Sequence, residues 1–429
     1  MDESEFSNGT PLSNLDGGES WGKPGLARRL IARTGVLVLS SIVLTVSGFA
    51  WIRQRLGLQP APRNRDLLMI GTFYNPAWYN AHATPLTKVP AIGEVYVVCD
   101  EPFSAAIDGV QFVCPTPDQR QRYGRSAARL LALLSFARKH RPMFYMGYHL
   151  MPNSLMAVVT AKLFGGFSFY QMTGGPAQLI GGGYQGENPL LNACEKPSRL
   201  QERLLFSVAR RFDSIVVRGS NAKRYVETNR LSRHPIIITG AMTPDSPDKA
   251  PDPKSFDLLC VGRLVPVKGY PLLLDAFAEL QKLRPGTTLG IIGGGPFEQA
   301  YHDTAARYGI ADWVTFIGKV PDVESYLRSA RLFVLFSENE GLSIAMLEAM
   351  SFGIPVFVKN VGDLADPITT EPPGGWLIAD QTPAEIAQEL TNVLSTDLEQ
   401  TGQVALRTIT EHYSVTAISK RWDDLFKQF

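Results

Sequence analysis

Residues 332–357 most constrain what this chain can fold into, because an apolar run, an acidic turn, a short helix and a second apolar run follow one another without spare residues. The run at 332–336 has the length of a strand buried on both faces of a parallel sheet. Ser343 is placed to cap the helix, and Gly353 and Pro355 are placed to end it. The pattern predicts part of an open α/β sheet, whose ligands bind at the carboxyl ends of the strands.

Two glutamates, Glu340 and Glu348, bracket the turn between this strand and the helix. Glu340 falls at the carboxyl edge of the strand, and Glu348, one helical turn inside, can point back towards the same crevice. Backbone N–H groups at the start of the helix favour an anionic phosphate, while carboxylates accept hydrogen bonds from a diol. Spacing alone also permits a solvated loop acid and one half of a surface ion pair. The N–H groups belong to Gly341, Leu342, Ser343 and Ile344.

Two cations follow the strand predicted at 256–261. Arg263 and Lys268 each stand beside a glycine, and together they can hold a diphosphate, the arginine by paired hydrogen bonds and the lysine as a point charge. Two ordinary surface cations are the alternative. A segment rich in proline and aspartate at 243–254 has the composition of a hinge, so a second domain is expected from residue 255.

The first globular half, residues 66–240, alternates short apolar runs with helical patterns. Six strands with intervening helices predict a doubly wound domain. His149 follows one of these strands at the edge facing the crevice, and a hydrogen-bonded structural histidine is the alternative to a role in binding. Gly174 and Gly175 follow the next strand, where they indicate either close approach of the backbone to a ligand or a plain surface loop. Ser220 is expected to cap a helix.

The N-terminal end predicts a tail and a membrane segment. Residues 1–33 are expected to be largely disordered, because residues 1–25 contain almost no large apolar side chains. Residues 34–52 carry no charge and are long enough for a single transmembrane helix, with basic residues on both flanks. A cleaved signal peptide and a buried or interfacial helix are the alternatives.

The overall charge excludes one class of partner. With 42 basic and 41 acidic residues, the chain has a formal net charge of +1, which gives no global field for nucleic acid. The four cysteines are scattered, without a C-x-x-C pair, so neither a zinc site nor a disulfide framework is indicated. Reduced thiols favour a cytosolic setting.

The motifs in the second half resemble those of one enzyme family. Glu340-Gly341, Leu347-Glu348-Ala349-Met350 and Gly353-Ile354-Pro355-Val356 resemble the E-x7-E signature of retaining GT-B glycosyltransferases, family 4, also called glycosyl transferases group 1. The stretch from Gly262-Arg263 to Lys268-Gly269 is similar to the family's G-R-x-x-x-x-K-G motif. The resemblance covers most of residues 255–360.

The resemblance implies a GT-B fold of class α/β, in which two Rossmann-like doubly wound domains face a cleft. Residues 66–240 would bind the acceptor, residues 255–412 the nucleotide-sugar donor, and residues 413–429 would cross back as a helix. Glu340 would bind the hydroxyls of the transferred sugar, and Glu348 the ribose. Further roles that the resemblance implies are diphosphate binding by Arg263 and Lys268, base recognition by the backbone at Gly318 and Val320, and an active-site position for His149.

A function follows from the resemblance as an expectation. The chain would be a retaining glycosyltransferase that moves a sugar from a nucleotide-diphosphate sugar to a glycan or lipid-linked glycan, in polysaccharide or cell-envelope synthesis. No Asp-x-Asp triplet occurs, so neither a metal nor another cofactor is expected. The membrane helix would place a single-pass enzyme with its catalytic domains in the cytosol, where nucleotide sugars are abundant.

Two departures from the family pattern support a rival hypothesis. No histidine stands near Thr173, where the family usually has one beside the donor sugar, and no Gly-Gly pair follows the first strand. These departures are compatible with a catalytically silent GT-B subunit that binds glycan or nucleotide and scaffolds a membrane complex. The presence of Glu340, Glu348, Arg263 and Lys268 favours the enzyme.

Overall fold

The computed structural model describes residues 26–71, 76–102, 107–184, 188, 191, 196–243 and 254–429. Within these residues the chain forms two parallel sheets, one of seven strands and one of six, each flanked by helices. The prediction of an α/β fold with two Rossmann-like domains is confirmed. We call the two units the first and second domains.

The strands and helices alternate along most of both domains. The strands are β1 (Asn64–Ile70), β2 (Val95–Val98), β3 (Val110–Val113), β4 (Pro142–Tyr148), β5 (Phe167–Met172), β6 (Ser214–Val217), β7 (Ile236–Ile237), β8 (Phe256–Val261), β9 (Leu289–Ile292), β10 (Val314–Gly318), β11 (Ala330–Leu335), β12 (Val356–Lys359) and β13 (Gly375–Ile378). The helices are α1 (Leu26–Arg55), α2 (Pro76–Ala83), α3 (Pro117–Tyr123), α4 (Arg125–His140), α5 (Leu155–Phe164), α6 (Arg199–Ala209), α7 (Ser220–Thr228), α8 (Tyr270–Leu283), α9 (Glu298–Arg307), α10 (Glu324–Arg328), α11 (Ile344–Ser351), α12 (Pro383–Val393), α13 (Leu398–His412) and α14 (Val415–Phe426).

The first sheet has the strand order β3-β2-β1-β4-β5-β6-β7. Its direction of winding reverses between β1 and β4, so the crevice at their carboxyl ends is the expected binding region. Strand β3 was not among the six strands predicted. Its four residues are only partly buried or exposed at the sheet edge, so they lack the continuous apolar pattern that marks the central strands.

The second sheet has the order β10-β9-β8-β11-β12-β13 and reverses between β8 and β11. Strand β8 leads into the loop that carries the two cations, and β11 leads into the loop that carries Glu340. Because parallel strands end at the same edge, both loops emerge at the switch point of this sheet. The topology therefore places the two motifs side by side.

The core of the first domain follows the alternation of side chains along its strands. Leu67 and Met69 of β1 pack in one cluster with the C-terminal helix α14, while Leu68 and Ile70 face a cluster that includes α4 and α5. Helix α14 follows the second domain in sequence but buries its apolar face against the first sheet. Hydrogen bonds from Arg65 Nη2 to the Phe426 carbonyl (2.9 Å) and from the Ala91 N–H to Asp423 (2.9 Å) fix its position.

Helix α1 begins at Leu26, before the predicted membrane segment, and ends at Arg55, beyond it. The expectation of a disordered tail is therefore wrong for residues 26–33, where leucine, alanine and arginine favour helix. Residues 1–25 lie outside the described part. The segment 32–55 is long and apolar enough to cross a membrane. The helix packs along α5 and α6, an arrangement that the sequence pattern did not predict.

Burial of Trp422 in helix α14 generates a stability prediction. This side chain is 1% exposed and stacks on Phe426, with ring centroids 5.5 Å apart. We expect Trp422→Ala to lower the free energy of unfolding of the first domain by about 3–5 kcal/mol, because it leaves a large cavity. Urea denaturation followed by circular dichroism measures this. Trp313→Ala, at a side chain 42% exposed in the second domain, is the matched control, and an equal loss in both variants would contradict the assigned packing.

Candidate functional site

The loops after β8 and β11 meet through an ion pair. Lys268 Nζ donates to Glu340 Oε1, and the hydroxyl of Ser337 donates to the same oxygen at 3.0 Å. The Lys268 side chain is 20% exposed and that of Glu340 11%. The backbone N–H of Glu338 donates to the Val267 carbonyl at 2.9 Å, which joins the two loops a second time. Lys268, which the sequence predicts to bind a phosphate, and Glu340, which it predicts to bind the sugar, thus lie in direct contact.

Helix α11 starts beside this ion pair. Ser343 is its N-cap, as predicted, and the serine hydroxyl accepts a hydrogen bond from the Met346 N–H at 3.3 Å. In the described part of the chain, no hydrogen-bond acceptor faces the backbone N–H groups of Gly341, Leu342 or Ile344. These donors, together with the positive end of the helix dipole, give the loop the electrostatics of an anion site.

Glu348 lies in α11, four residues after the first helical residue, and is largely buried. Burial raises the pKa of its carboxyl group to about 7, and the negative charge of Asp322 contributes in the same direction. Among the described residues, its carboxylate has no hydrogen-bond partner. In its ionised form, this carboxylate can accept hydrogen bonds from an incoming pair of hydroxyls, and its raised pKa couples that binding to loss of a proton.

The other predicted donor-side residues lie at the same sheet edge. Arg263 follows β8 and its side chain is exposed. Gly318 ends β10, and its carbonyl accepts a hydrogen bond from the Gly293 N–H at 2.9 Å, which leaves one lone pair for a ligand. Val320 is partly buried two residues later. Contact of these residues with a nucleobase or a phosphate remains a prediction.

On the first domain, His149 lies at the switch point, directly after β4. Its ring is hydrogen-bonded to the Thr173 hydroxyl, with Nδ1 to Oγ1 at 3.0 Å, and the Gln178 side-chain amide lies 3.0 Å from Nδ1. His149 has a backbone φ of 61°, a conformation that residues other than glycine rarely adopt. Its neighbours hold it there, because the Ser154 N–H and hydroxyl both donate to the His149 carbonyl.

The loop after β5 approaches the loop after β11 across the cleft. A Cβ atom added at Gly341 would lie 2.9 Å from the Thr173 carbonyl oxygen, and one added at Gly175 would lie 3.9 Å from the Gly341 Cα. The start of the loop after β5 is therefore packed backbone against backbone with the loop after β11 at Gly341, and Gly174 lies on the same first-domain segment. The structure brings His149 to Thr173 and Thr173 to the loop of Glu340, which links the two halves of the predicted site.

Arg218 crosses the interface between the domains. Its Nη1 donates to the Leu342 carbonyl at 3.1 Å, and its Nη2 donates to His82 Nε2 at 3.3 Å. Burial and the arginine charge hold the pKa of the His82 imidazole well below its usual range, so the ring is neutral and its Nε2 accepts. A side chain of the first domain thus contacts the turn that begins α11 in the second domain.

Helix α7 of the first domain is capped by acids of the second. The N-cap is Gly219, with no side chain to act as a cap, so the expectation that Ser220 caps this helix is wrong. Asp363 accepts from the N–H groups of Asn221 (2.8 Å) and Ala222 (3.1 Å), and Asp366 accepts from the N–H and hydroxyl of Ser220, both at 2.6 Å. A Cβ atom at position 219 would lie 2.4 Å from the Asp363 Cβ, so only glycine permits this approach.

Sequence reasoning missed this interdomain network. His82, Arg218 and the acidic loop of Asp363 and Asp366 are far apart in sequence, and no spacing rule connects them. The one available signal was the absence of a side-chain cap at Gly219, which requires acceptors from elsewhere because the first N–H groups of a helix have no partner within it. The buried position of Asp363 also raises the pKa of its carboxyl group to about 6.

The arrangement of two facing Rossmann-like domains defines the GT-B class, and solved structures support that assignment. Sucrose-phosphate synthase from Thermosynechococcus elongatus superposes with a TM-score of 0.65 at 16% identity, covering 85% of this chain and 99% of the other. Anabaena Alr3699/HepE in complex with UDP superposes with a TM-score of 0.63 at 16% identity, covering 85% and 100%. At such low identity, these similarities show the fold.

Sequence comparison relates the second domain to one family. The family model for glycosyl transferases group 1 matches residues 242–405, so the second domain is similar to the domain that this family shares. The lipopolysaccharide core biosynthesis mannosyltransferase LpsB of Rhizobium meliloti is 28% identical over 190 residues, 41% of this chain and 54% of the relative. The GDP-mannose-dependent alpha-(1-6)-phosphatidylinositol monomannoside mannosyltransferase of Mycolicibacterium smegmatis is 31% identical over 143 residues, 30% and 37%. The matches thus span about half or less of these relatives.

The capping of α7 by the second domain gives a prediction for hydrogen exchange. We expect Asp363→Ala combined with Asp366→Ala to raise the amide exchange rates at Asn221 and Ala222 about fivefold or more, because loss of a helix cap costs about 1 kcal/mol. Mass spectrometry of amide exchange measures this.

The matched control for that experiment is Asp397→Ala, which removes the side-chain cap of α13 within the second domain. This substitution should raise exchange in α13 and leave α7 unchanged. If exchange at the start of α7 does not respond to the Asp363 and Asp366 substitutions, the two acids do not cap this helix in solution.

Proposed function

We propose that this chain is a retaining glycosyltransferase of family 4 that uses a nucleotide-diphosphate sugar. The observation that carries the proposal is the constellation at the switch point of the second sheet: Lys268 paired with Glu340, free N–H groups beginning α11, and buried Glu348. A diphosphate would contact Lys268, Arg263 and the N–H groups. Glu340 would then bind sugar hydroxyls, and Glu348 would accept hydrogen bonds from the ribose.

The similar proteins support a nucleotide-sugar donor. Among the solved structures of the same fold, Alr3699/HepE is described in complex with UDP and with UDP-glucose, and the mannosyltransferase of Mycolicibacterium smegmatis is named as GDP-mannose-dependent. Both names include a sugar attached to a nucleoside diphosphate. We propose the same class of donor for this chain and leave the base to experiment.

The proposed reaction breaks the bond between the sugar anomeric carbon and the diphosphate oxygen. The bonding electrons leave with the diphosphate, where Arg263, Lys268 and the N–H groups of α11 stabilise the developing charge. The acceptor hydroxyl attacks the anomeric carbon on the face that the diphosphate leaves, and its proton passes to a phosphate oxygen. The configuration is retained without a protein nucleophile, and this chemistry calls for neither a divalent metal nor another cofactor.

We propose that the first domain binds the acceptor, a glycan or lipid-linked glycan of a polysaccharide or cell-envelope pathway. Two relatives are named for lipopolysaccharide core biosynthesis and for phosphatidylinositol monomannosides, both lipid-attached acceptors. His149 would border the transferred sugar together with Thr173, Gly174 and Gly175. Helix α1 would hold the enzyme at a membrane, with both domains in the cytosol.

The rival hypothesis of a catalytically silent scaffold predicts nucleotide binding without turnover. It is favoured by the absence of a histidine near Thr173, where the family usually has one beside the donor sugar. The ion pair of Lys268 with Glu340 argues against it, because a subunit that performs no transfer has no need to retain both charges in contact. Turnover therefore separates the two hypotheses.

The first prediction for the donor site concerns the pH dependence of nucleotide binding. Burial raises the pKa of Glu348 to about 7, and ribose hydroxyls donate to the carboxylate form, so proton loss must accompany binding below that pH. The affinity should therefore rise about tenfold from pH 6 to pH 8 and level off above. Titration calorimetry with UDP, GDP and ADP measures this affinity. As a second measurement, a nucleotide at a hundred times its dissociation constant should raise the free energy of unfolding by about 2.7 kcal/mol.

The control for this titration is Glu348→Gln, which should bind more weakly and lose the part of the pH dependence that Glu348 causes. Ionisation of the nucleotide's terminal phosphate, with a pKa of about 6, is common to both proteins and is cancelled by comparing them. Glu324→Gln, at an exposed acid of the same domain, should behave as the wild type. Equal pH profiles in wild type and Glu348→Gln would contradict the assigned role of Glu348.

The second prediction concerns turnover. Slow hydrolysis of the donor by the wild type, insensitive to EDTA, should fall by about a hundredfold or more in Lys268→Ala and in Arg263→Ala, because each removes a charge that stabilises the leaving diphosphate. Lys282→Ala, at an exposed lysine of the same domain, is the control. Selective nucleotide binding without any hydrolysis or transfer would favour the scaffold hypothesis, and loss of activity on chelation would overturn the metal-free mechanism.

A further inference from the structure

Helix α1 has one face docked on the first domain along nearly its whole length. Val36 and Val43 pack in the same cluster as Leu155 and Val158 of α5, and Arg53 Nη1 donates to the Leu163 carbonyl at 3.2 Å. The buried positions recur at the spacing of a single helical stripe. They are Ala32, Val36, Ser40, Val43, Ser47 and Ala50.

This docked stripe coincides with the segment that could cross a membrane. From Ala32 to Ala50 the helix rises about 27 Å, close to the thickness of the hydrocarbon layer, and the predicted span is 34–52. A helix crossing the bilayer in this arrangement would draw α5 and α6 into the hydrocarbon with it. Helix α6 carries exposed Arg199 and Arg203, whose charges are costly there. The docked helix therefore does not cross the bilayer.

The opposite face of α1 is apolar and exposed. The two largest exposed rings are Phe49, 64% exposed, and Trp51, 58% exposed, and Trp51 contacts the guanidinium of Arg55 at 5.0 Å from its ring centroid. An apolar face of this extent on a water-facing surface indicates an interaction site. Its members, here called the outer face of α1, are Leu37, Val38, Ile42, Phe49, Trp51 and Ile52, and exposed Leu56 and Leu58 directly follow the helix.

The charge around this helix selects the kind of partner. Between residues 20 and 65 the chain has eight Lys and Arg and no Asp or Glu. Over residues 26–243 it has 26 basic and 11 acidic residues, whereas residues 244–429 have 15 basic and 25 acidic. The net charge of +1 therefore conceals a strongly basic first half and an acidic second half. A basic surface around an apolar stripe complements an anionic lipid surface.

We propose that α1 lies in the plane of the membrane, with its outer face inserted at the interface of an anionic phospholipid bilayer and its opposite face docked on the first domain. The single span predicted from residues 34–52 is replaced by an in-plane anchor that leaves both ends of α1 and both domains on the same side of the membrane. This inference rests on the proposed function for the lipid-linked acceptor. It extends that function, because the domain that binds the acceptor is then the domain bound to the membrane.

Vesicle binding tests whether the outer face of α1 binds an anionic phospholipid surface. The full chain, added to vesicles of phosphatidylcholine containing about one third phosphatidylglycerol, should bind at least about tenfold more tightly than to phosphatidylcholine alone, and the difference should shrink at high salt. Ile42→Glu combined with Phe49→Glu should weaken binding about tenfold or more. Leu283→Glu, at a leucine 49% exposed in the second domain, is the matched control and should bind as the wild type.

Topology distinguishes the in-plane anchor from a span. In sealed inverted membrane vesicles from cells expressing the full chain with an epitope at each end, protease should remove both epitopes. Protection of the N-terminal epitope alone would overturn the proposal, because the helix would then cross the membrane. Failure to bind either vesicle, together with a dimer in analytical ultracentrifugation, would also overturn it and assign the outer face to a second copy of the chain. Nucleotide binding measured on the same samples tests the proposed function separately.

Discussion

The contact between Lys268 and Glu340 holds the second domain's site together. The two residues lie 72 positions apart and on opposite sides of the switch point, and the loops that carry them would diverge there because β8 and β11 lead to helices wound in opposite directions. Opposite charges in a partly buried crevice draw these loops to one place. The backbone bond from Glu338 to Val267 fixes the separation of the loops, and helix α11 starts from the position that results.

The first domain completes this arrangement from across the cleft. Arg218 donates to the Leu342 carbonyl, Thr173 packs against Gly341, and His149 is hydrogen-bonded to Thr173. The first two contacts reach the backbone of the turn that begins α11, and the third holds Thr173 in place. The geometry of the N–H groups in that turn therefore depends on residues of both domains, although all of these N–H groups belong to the second.

The sequence was sufficient for the features that depend on consecutive residues. The α/β class, the helix cap at Ser343 and the place of the E-x7-E and G-R-x-x-x-x-K-G motifs at strand ends follow from local patterns of apolar, polar and capping residues. Strand β3 escaped prediction because its side chains are only partly buried. The cap of α7 was assigned to Ser220 because a sequence pattern considers only neighbouring residues, whereas the acceptors are Asp363 and Asp366 of the other domain. The packing of α1 on α5 and α6 could not be predicted either, because the contacting residues are far apart in sequence.

The capping of helix α7 by two acids of the second domain limits how this chain can be divided. Cut between residues 244 and 253, the first domain would keep a helix whose initial N–H groups have no acceptor, and the second would keep Asp363 and Asp366 without their donors. Helix α14 would be separated from the sheet that it covers as well. The two halves are therefore interdependent folding units, and a chimaera that exchanges one of them must carry Gly219 together with the acidic loop that approaches it, or accept a loosened interface.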